Sequence, residues 1–435
     1  SRDSRLIIGS PGCGKTTKAI QIVEEAIENG TPINRIGFVS FSVAAITEAI
    51  TRVNKKIKTS PKNLGYFKTL HSLAFVLQGL KKVNAFEWTE QLDFAKQNGL
   101  KLTYQKREDI DGFNTPDDKL MNIVYLSNLL ELSVEETIKR QRIQGEIDLG
   151  KTKRIKEAFA VYKFQNNKFD YTDTIISMVN NNWELPDLDL LIVDEAQDLS
   201  TLQWKFIFKL ASRSKVVRIF GDDKQCINTF AGADIDTFLK LGIPVDVLPK
   251  SYRIPRKVHQ LAVRLVNKIP NKYTVPWEPR DVDGGVYRVY ELPTKRILES
   301  KEDWLILARN KSGLTDITYR LYEKGIPFSI NNQSPFDKAI TIAINIFELA
   351  EGDDTKLSQK QLNIMKRFIP KANFDVLFKC GSWFDAFTKV PRPCRKYIQN
   401  LLELGQDIED LSKARVKLNT IHASKGSEAE NVILI

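Results

Sequence analysis

The chain has 435 residues, 42% of them hydrophobic and 27% charged, which excludes a disordered or fibrous chain and implies two to four domains at ~100–200 residues each. Lys plus Arg reaches 65 against 54 acids, a net charge of +11 that suits polyanion partners and is equally well accounted for by solubility charge. No apolar run approaches the ~18–20 residues of a membrane span, so no membrane role is expected. Three histidines exclude a histidine-rich metal centre, and scattered Cys13, Cys226, Cys380 and Cys394 predict a reducing, cytoplasmic compartment rather than a disulfide or zinc framework.

In chain order, the N-terminus carries no signal-peptide pattern and enters a strand-like run at Leu6-Ile7-Ile8. A loop follows from Gly9 to Gly14, then a helix from Lys15 to Asn29 with apolar residues at Ala19, Ile20, Val23, Ala26 and Ile27. Ile36–Ser40 reads as a second buried strand, and Ala44–Val53 as a helix. Such alternation predicts a parallel α/β sheet. Residues 73–165, rich in Lys, Glu and Gln, read as a helical insertion. Strand signal returns at Leu188–Val193 and Val216–Phe220, continuous apolar runs of the buried parallel kind. Pro-containing segments at 244–255 and 270–280 suggest a boundary, after which Trp304–Ala308 and Val432–Ile435 read as strands of a second α/β unit. Residues 335–415 between them read as mainly helical. The chain stops inside a strand-like run, as expected of a fragment.

Gly9-Ser10-Pro11-Gly12-Cys13-Gly14-Lys15-Thr16 matches G-x-x-x-x-G-K-[ST] between a strand and a helix. Glycines let the backbone N–H groups and the helix N-terminus face a β-phosphate, while Lys15 supplies charge and Thr16, followed by Thr17, a Mg²⁺ ligand. The match predicts a nucleoside triphosphatase without saying which. Asp194 and Glu195 end an apolar strand, where ligands of parallel sheets gather. There Asp194 can hold Mg²⁺ while Glu195 polarises the attacking water.

With the phosphate loop, the run Asp194-Glu195-Ala196-Gln197-Asp198 resembles motif II of superfamily 1 helicases of the UvrD/Rep type. The rest of that family's series follows in order. Ser40-Phe41-Ser42 resembles motif Ia, Thr69-Leu70-His71-Ser72 motif Ib, and Phe169-Asp170-Tyr171-Thr172-Asp173 the acidic-aromatic segment before motif II. Gly221–Ile227 resembles motif III, Ser251-Tyr252-Arg253 motif IV, and Thr420–Glu428 motif V.

The resemblance implies two RecA-like parallel-sheet motor domains with helical insertions: 1–72 and 166–249 for the first, 73–165 inserted in it, 250–334 and 416–435 for the second, and 335–415 as a reduced accessory insertion. It implies ATP and Mg²⁺ as cofactors, with Gln225 sensing the γ-phosphate, Arg253 reaching it across a cleft, Tyr252 stacking on adenine, and Gly426 and Glu428 approaching the ribose. On the residues alone, without the other motifs, Tyr252 and Arg253 read rather as a core aromatic beside a surface arginine. DNA contacts are implied at Phe41 and Phe230 through base stacking, and at Thr69, His71, Thr420 and His422 through phosphates; Arg309 is a further candidate. Phe41 has core packing as its alternative. Phe230 and Ala231 stand where the family carries tryptophan and arginine, which keeps an aromatic face and loses a cation. The basic runs at 54–58, 139–142 and 151–156 read as solvated helix faces. The family's upstream adenine-recognition glutamine and its motif VI arginine are absent, so the chain as it stands is expected to be a poor ATPase.

The expected activity is an ATP-dependent DNA helicase moving 3′→5′ on single-stranded and forked DNA, the polarity resting on DEAQD and Lys425. The alternatives are a translocase that displaces proteins or serves a partner nuclease, and a nucleotide-switched loader. Replication, repair or nuclease proteins are the expected partners, in a nucleoid-associated cytoplasmic setting or the cytoplasm of a host cell.

Overall fold

The computed structural model describes residues 3–57, 64–103, 115–227, 229, 232–270 and 272–435. They fall into two compact units, the described residues up to Tyr287 and Arg288–Ile435.

The first unit is built on six strands: β1 (Asp3–Gly9), β2 (Ile36–Ser40), β3 (Phe67–Thr69), β4 (Leu188–Asp194), β5 (Ser214–Gly221) and β6 (Val245–Leu248). All pair in parallel, in the order β3-β2-β4-β5-β1-β6. Central strands β2 and β4 are almost wholly apolar and buried because helices cover both faces of such a sheet. Helices α1 (Lys15–Glu28) and α2 (Val43–Ile57) cover one face, where Ala19, Ile20 and Val23 meet Phe38, Ile192 and Phe220. The other face receives α3 (Leu70–Leu77) and the helices Tyr171–Asn180 and Thr201–Ser212, with Trp204 and Phe206 fully buried. Each such side chain contributes roughly 1.5–3 kcal/mol. The three-residue edge strand β3 is held by Phe67 stacking on Phe38 at 5.8 Å, a contact invisible to local pattern.

Between α3 and the Tyr171 helix lies the expected helical insertion, which has its own small core around Phe94, Met121, Val124 and Phe159. Three of its helices start at side-chain caps: Thr115 accepts from the Asp118 N–H, Ser133 from Glu136 and Asp148 from Lys151.

The second unit holds β7 (Trp304–Ala308), β8 (Phe328–Ile330), β9 (Val416–Thr420) and β10 (Asn431–Leu434), again all parallel, in the order β10-β7-β9-β8. Helices between residues 339 and 403 pack with the sheet into one core that includes Ile306, Phe328, Phe347, Phe387 and Tyr397. Two parallel sheets with helical insertions are the α/β fold the sequence implied. No helix among the described residues is long and apolar enough to cross a membrane.

The compact division falls at 287/288, whereas the sequence reading put the second domain's start at 250. Residues 249–257 pair through the main chain with 278–283: Ser251 N–H donates to Glu278 O and Glu278 N–H to Pro249 O, both at 2.8 Å. Arg280 N–H donates to Ile254 O and Arg256 N–H to Val282 O. Backbone pairing of this kind has no side-chain signature, so the sequence marks the prolines and not the pairing.

Candidate nucleotide site

Register puts the functional residues on one edge. Ser40 pairs with Asp194 and Thr69, Ile8 with Gly221, and Gly9 with Leu248, so the carboxyl ends of β3, β2, β4, β5, β1 and β6 form a single line. Ligands of open parallel sheets sit beyond that edge.

The loop after β1 runs through Ser10, Pro11, Gly12 and Cys13 to Gly14, which stands at the N-cap of α1 with φ 81°. No acid occupies the first turn of α1, so its N–H groups and dipole are left for an anion. Lys15 is buried and its Nζ donates to Gly9 O at 2.7 Å, which poises the ammonium inside the loop. Ser10 Oγ is buried with no partner, and burial pushes the Cys13 thiol up. Thr17 is exposed on the first turn.

Gly12 is where a second segment touches the loop. A Cβ there, at φ +73°, would lie 2.4 Å from Arg253 Cβ and 3.0 Å from Ser251 Oγ. Ser251 Oγ donates to Pro11 O and Tyr252 N–H to Gly12 O, both at 2.8 Å. Arg253 thus belongs to the same unit as Lys15 and packs directly on the phosphate loop. Tyr252 beside it is 73% exposed, a free ring face next to an anion cradle.

Across β5, Thr16 Oγ1 donates to Asp194 Oδ2 at 3.2 Å. Asp194 Oδ1 is buried without a partner, and the carboxyl is pushed up to about 7, first by burial and then by the charge of Glu195. A buried, orphaned carboxylate oxygen beside a hydroxyl is a hard oxygen pair that fits Mg²⁺ and would hold it next to the phosphate loop. Among the described residues no cluster of three His, Cys, Asp or Glu offers an all-protein metal cage.

Glu195 is held at φ 54°, a left-handed conformation that costs a non-glycine residue about 1–3 kcal/mol. Its Oε2 accepts from Gln197 Nε2 at 2.5 Å. Gln197 is fully buried and its Oε1 accepts the Asp222 N–H at 3.0 Å, while Gln225 Nε2 donates to Asp222 Oδ2 at 2.6 Å. One amide therefore ties Glu195 at the end of β4 to Asp222 beyond β5, and the Asp222 carboxylate in turn holds Gln225. Burial pushes the Asp222 carboxyl up. The sequence contains Gln197 and Asp222 within recognised motifs but gives neither a task.

At the β2–β3 end of the edge, Phe41 is 46% exposed, which disfavours its core-packing alternative. Thr69 Oγ1 caps α3 by accepting the Ser72 N–H at 3.3 Å. His71 Nε2 lies 3.2 Å from Gln203 Nε2, and its ring centroid is 5.4 Å from that of Tyr171, itself 60% exposed. Tyr171 is an aromatic that sequence reasoning passed over, although the FDYTD segment contains it. Phe230 lies outside the described residues.

In the second unit, Ala308 pairs with Thr420, so the segments leaving β7 and β9 emerge side by side. Arg309 Nη1 lies 2.9 Å from His422 Nδ1, which brings two of the candidate DNA residues together. Thr420 Oγ1 accepts the Ala423 N–H at 3.3 Å, Gly426 takes φ 82°, and Glu428 is exposed.

Phosphate loop, strand-end acid pair and a glutamine beyond the neighbouring strand lie on one edge of a parallel sheet, the arrangement of a P-loop fold of the RecA-like kind. The sequence profile of the UvrD/REP helicase N-terminal domain matches residues 1–244, more than half of the chain, and the chain belongs to that family. YjcD of Bacillus subtilis, which carries an ATP-dependent DNA helicase name, is 24% identical over 412 residues, 83% of this chain and 53% of that protein. A DNA helicase II homologue of Mycoplasma genitalium is 26% identical over 302 residues, 61% of this chain and 40% of its own length. RecB, a RecBCD enzyme subunit of Buchnera aphidicola, is 33% identical over 95 residues, 20% of this chain and 8% of its own. The chain spans about half or less of the length of these relatives.

Proposed function

We propose that the chain is the motor of an ATP-dependent DNA helicase that moves 3′→5′ on single-stranded DNA. The observation that carries this is the packing of Ser251–Arg253 on a phosphate loop that shares its edge with Asp194, Glu195 and Gln225. In this reading Gly9–Thr17 binds the triphosphate, with Lys15 on its β- and γ-oxygens. Thr16 and Asp194 would hold Mg²⁺, which would supply charge neutralisation of the phosphates. Glu195 orients and polarises the attacking water, and Gln225 registers the γ-phosphate. Arg253 stabilises the charge that develops during transfer, and Tyr252 stacks on the base. Gly426 and Glu428 keep the ribose role that their likeness to motif V implies.

The strand is gripped by Phe41, Phe230 and Tyr171 through stacking and by Thr69, His71, Arg309, Thr420 and His422 through phosphates. Single-stranded and forked DNA are the substrates, and replication, repair or nuclease proteins the partners. The likeness to RecB, a subunit of the RecBCD enzyme, favours a second reading, a translocase that works as one subunit of a larger enzyme.

The test is ATP hydrolysis by the full-length protein with and without single-stranded DNA. DNA is expected to stimulate turnover strongly. Glu195→Gln is expected to lower kcat at least ~100-fold while ATP binding persists, the scale of a lost general base. Turnover that ignores DNA rejects a translocating motor, and an active Glu195→Gln variant removes Glu195 from its role.

A further inference from the structure

Asp223 is a buried acid to which none of the roles above gives work. Its side chain is 1% exposed, and burying a carboxylate is costly unless it is paired. One oxygen meets Lys224 Nζ at 3.1 Å. The other accepts the main-chain N–H of Tyr273 at 2.8 Å, fifty residues further along the chain. Tyr273 is also fixed elsewhere: its hydroxyl donates to Leu239 O at 3.1 Å, and its ring meets that of Phe238 edge-on at 6.2 Å. Phe238 in turn lies on the end of β5, where a Cβ on Gly221 would come within 2.6 Å of its ring.

From Tyr273 the chain runs as a strap. His259 Nε2 lies 2.9 Å from Trp277 O, with the two rings 4.6 Å apart. Residues 278–283 then pair with 249–257 as described above, and Ser251 and Tyr252 bond the phosphate loop at Pro11 and Gly12. Hydrogen bonds and short covalent links therefore run from Gln225 and Asp222 through Asp223, the strap and Arg253 back to the loop.

We infer that Asp223 is a positioning residue: by holding the Tyr273 amide it sets the strap that keeps Tyr252 and Arg253 over the phosphate loop, so the segment that senses nucleotide and the segment that clamps it are registered together. This rests on the nucleotide-binding reading of the site. The physical reason is leverage. Arg253 and Tyr252 sit on an irregular segment whose flanking residues, Ser251, Ile254 and Arg256 among them, pair with the strap rather than with a sheet, so the strap's anchors fix its position together with its own bonds to Pro11 and Gly12. Asp223 is an anchor within the sensing segment itself, next to Asp222, which accepts from Gln225. Misplacement of a binding group by ~1 Å is enough to cost one to two orders of magnitude.

The experiment compares the full-length parent, Asp223→Ala and Asp223→Asn for equilibrium binding of the fluorescent nucleotide mant-ATP and for amide hydrogen exchange. Asp223→Ala removes the acceptor and is expected to weaken mant-ATP about 10-fold. It should also speed exchange at 251–254 and 278–283 without touching β4. Asp223→Asn keeps a side-chain oxygen for the Tyr273 N–H and should restore most of the affinity and protection. Parental affinity and exchange in Asp223→Ala overturn the inference, as does a loss spread equally over β4 and shared by Asp223→Asn, which is the mark of general destabilisation. A parent that fails to bind mant-ATP overturns the nucleotide-site reading itself, a result distinct from either.

Discussion

The carboxyl group of Asp194 is kept where water is scarce, with Thr16 on one oxygen and no partner on the other. Its folded value of about 7 lies above the ordinary 3.8, so between those values the folded chain holds a proton that the unfolded chain has released. Stability therefore falls as pH rises through that window, and the full cost, roughly 4 kcal/mol, is present above it. Asp194→Asn is expected to raise the melting temperature of the nucleotide-free protein strongly at pH 8 and by much less at pH 5, where only the lower part of the window has been crossed, while abolishing Mg²⁺-dependent turnover. Calorimetry at the two pH values checks this, and equal shifts at both would show that the acid carries no such cost. Glu195 stores strain beside it in a left-handed backbone conformation. Both acids were legible in the sequence because a run of apolar residues ending in two carboxylates is hard to fold otherwise. Gln197 was not: its task of joining Glu195 to the Asp222 amide arises only when β4 and β5 lie side by side.

Elements of this fold are fastened to one another by a few buried polar devices as well as by apolar packing. The helical insertion ends at such a device. Lys163 on the helix Leu149–Gln165 is buried and donates to Asp170 Oδ2 and Asp173 Oδ1, each at 2.7 Å, with its ammonium 4.3 Å from the Phe159 ring centre. Asp170 also caps the next helix, accepting from the N–H groups of Thr172 and Asp173. Removing the cation strands two carboxylates in a dry site, and burial together with the charge of Asp170 already pushes Asp173 up. Lys163→Met is expected to destabilise the first unit by about 3–5 kcal/mol near neutral pH in urea unfolding. The deficit should shrink toward pH 5, because Asp173, with its raised pKa, takes up a proton first. A deficit that ignores pH would assign the effect to lost packing alone. The long apolar strands and the amphipathic α1 were legible because one residue pattern decides each. The short strands β3, β6 and β8 were not, since three or four residues carry too little periodicity and are held by tertiary partners such as Phe38 on Phe67.

At the scale of the whole molecule, the proposed function rests on what each parallel-sheet unit offers a polynucleotide. The net charge of +11 gives attraction to phosphates with no sense of direction. Direction has to come from structure, from sites on each unit whose hold on the strand changes with the nucleotide. Candidate sites exist on both: Phe41, His71 and Tyr171 on the first, and Arg309 beside His422 on the second. A ligand shifts such an equilibrium only through a difference in its contacts with two states, and in the proposed function Arg253 on the phosphate loop is the group that tells a γ-phosphate from its absence. Polarity is then a property of the order in which the two grips release. The motif V sequence with Lys425 predicts that a fork carrying a 3′ single-stranded tail is opened in the presence of Mg²⁺ and ATP while a 5′-tailed fork of the same duplex is not. Opening of the 5′-tailed fork alone would reverse the assigned polarity. Opening of neither fork, with ATP turnover still strongly stimulated by single-stranded DNA, would select the translocase that moves along a strand and leaves separation to a partner.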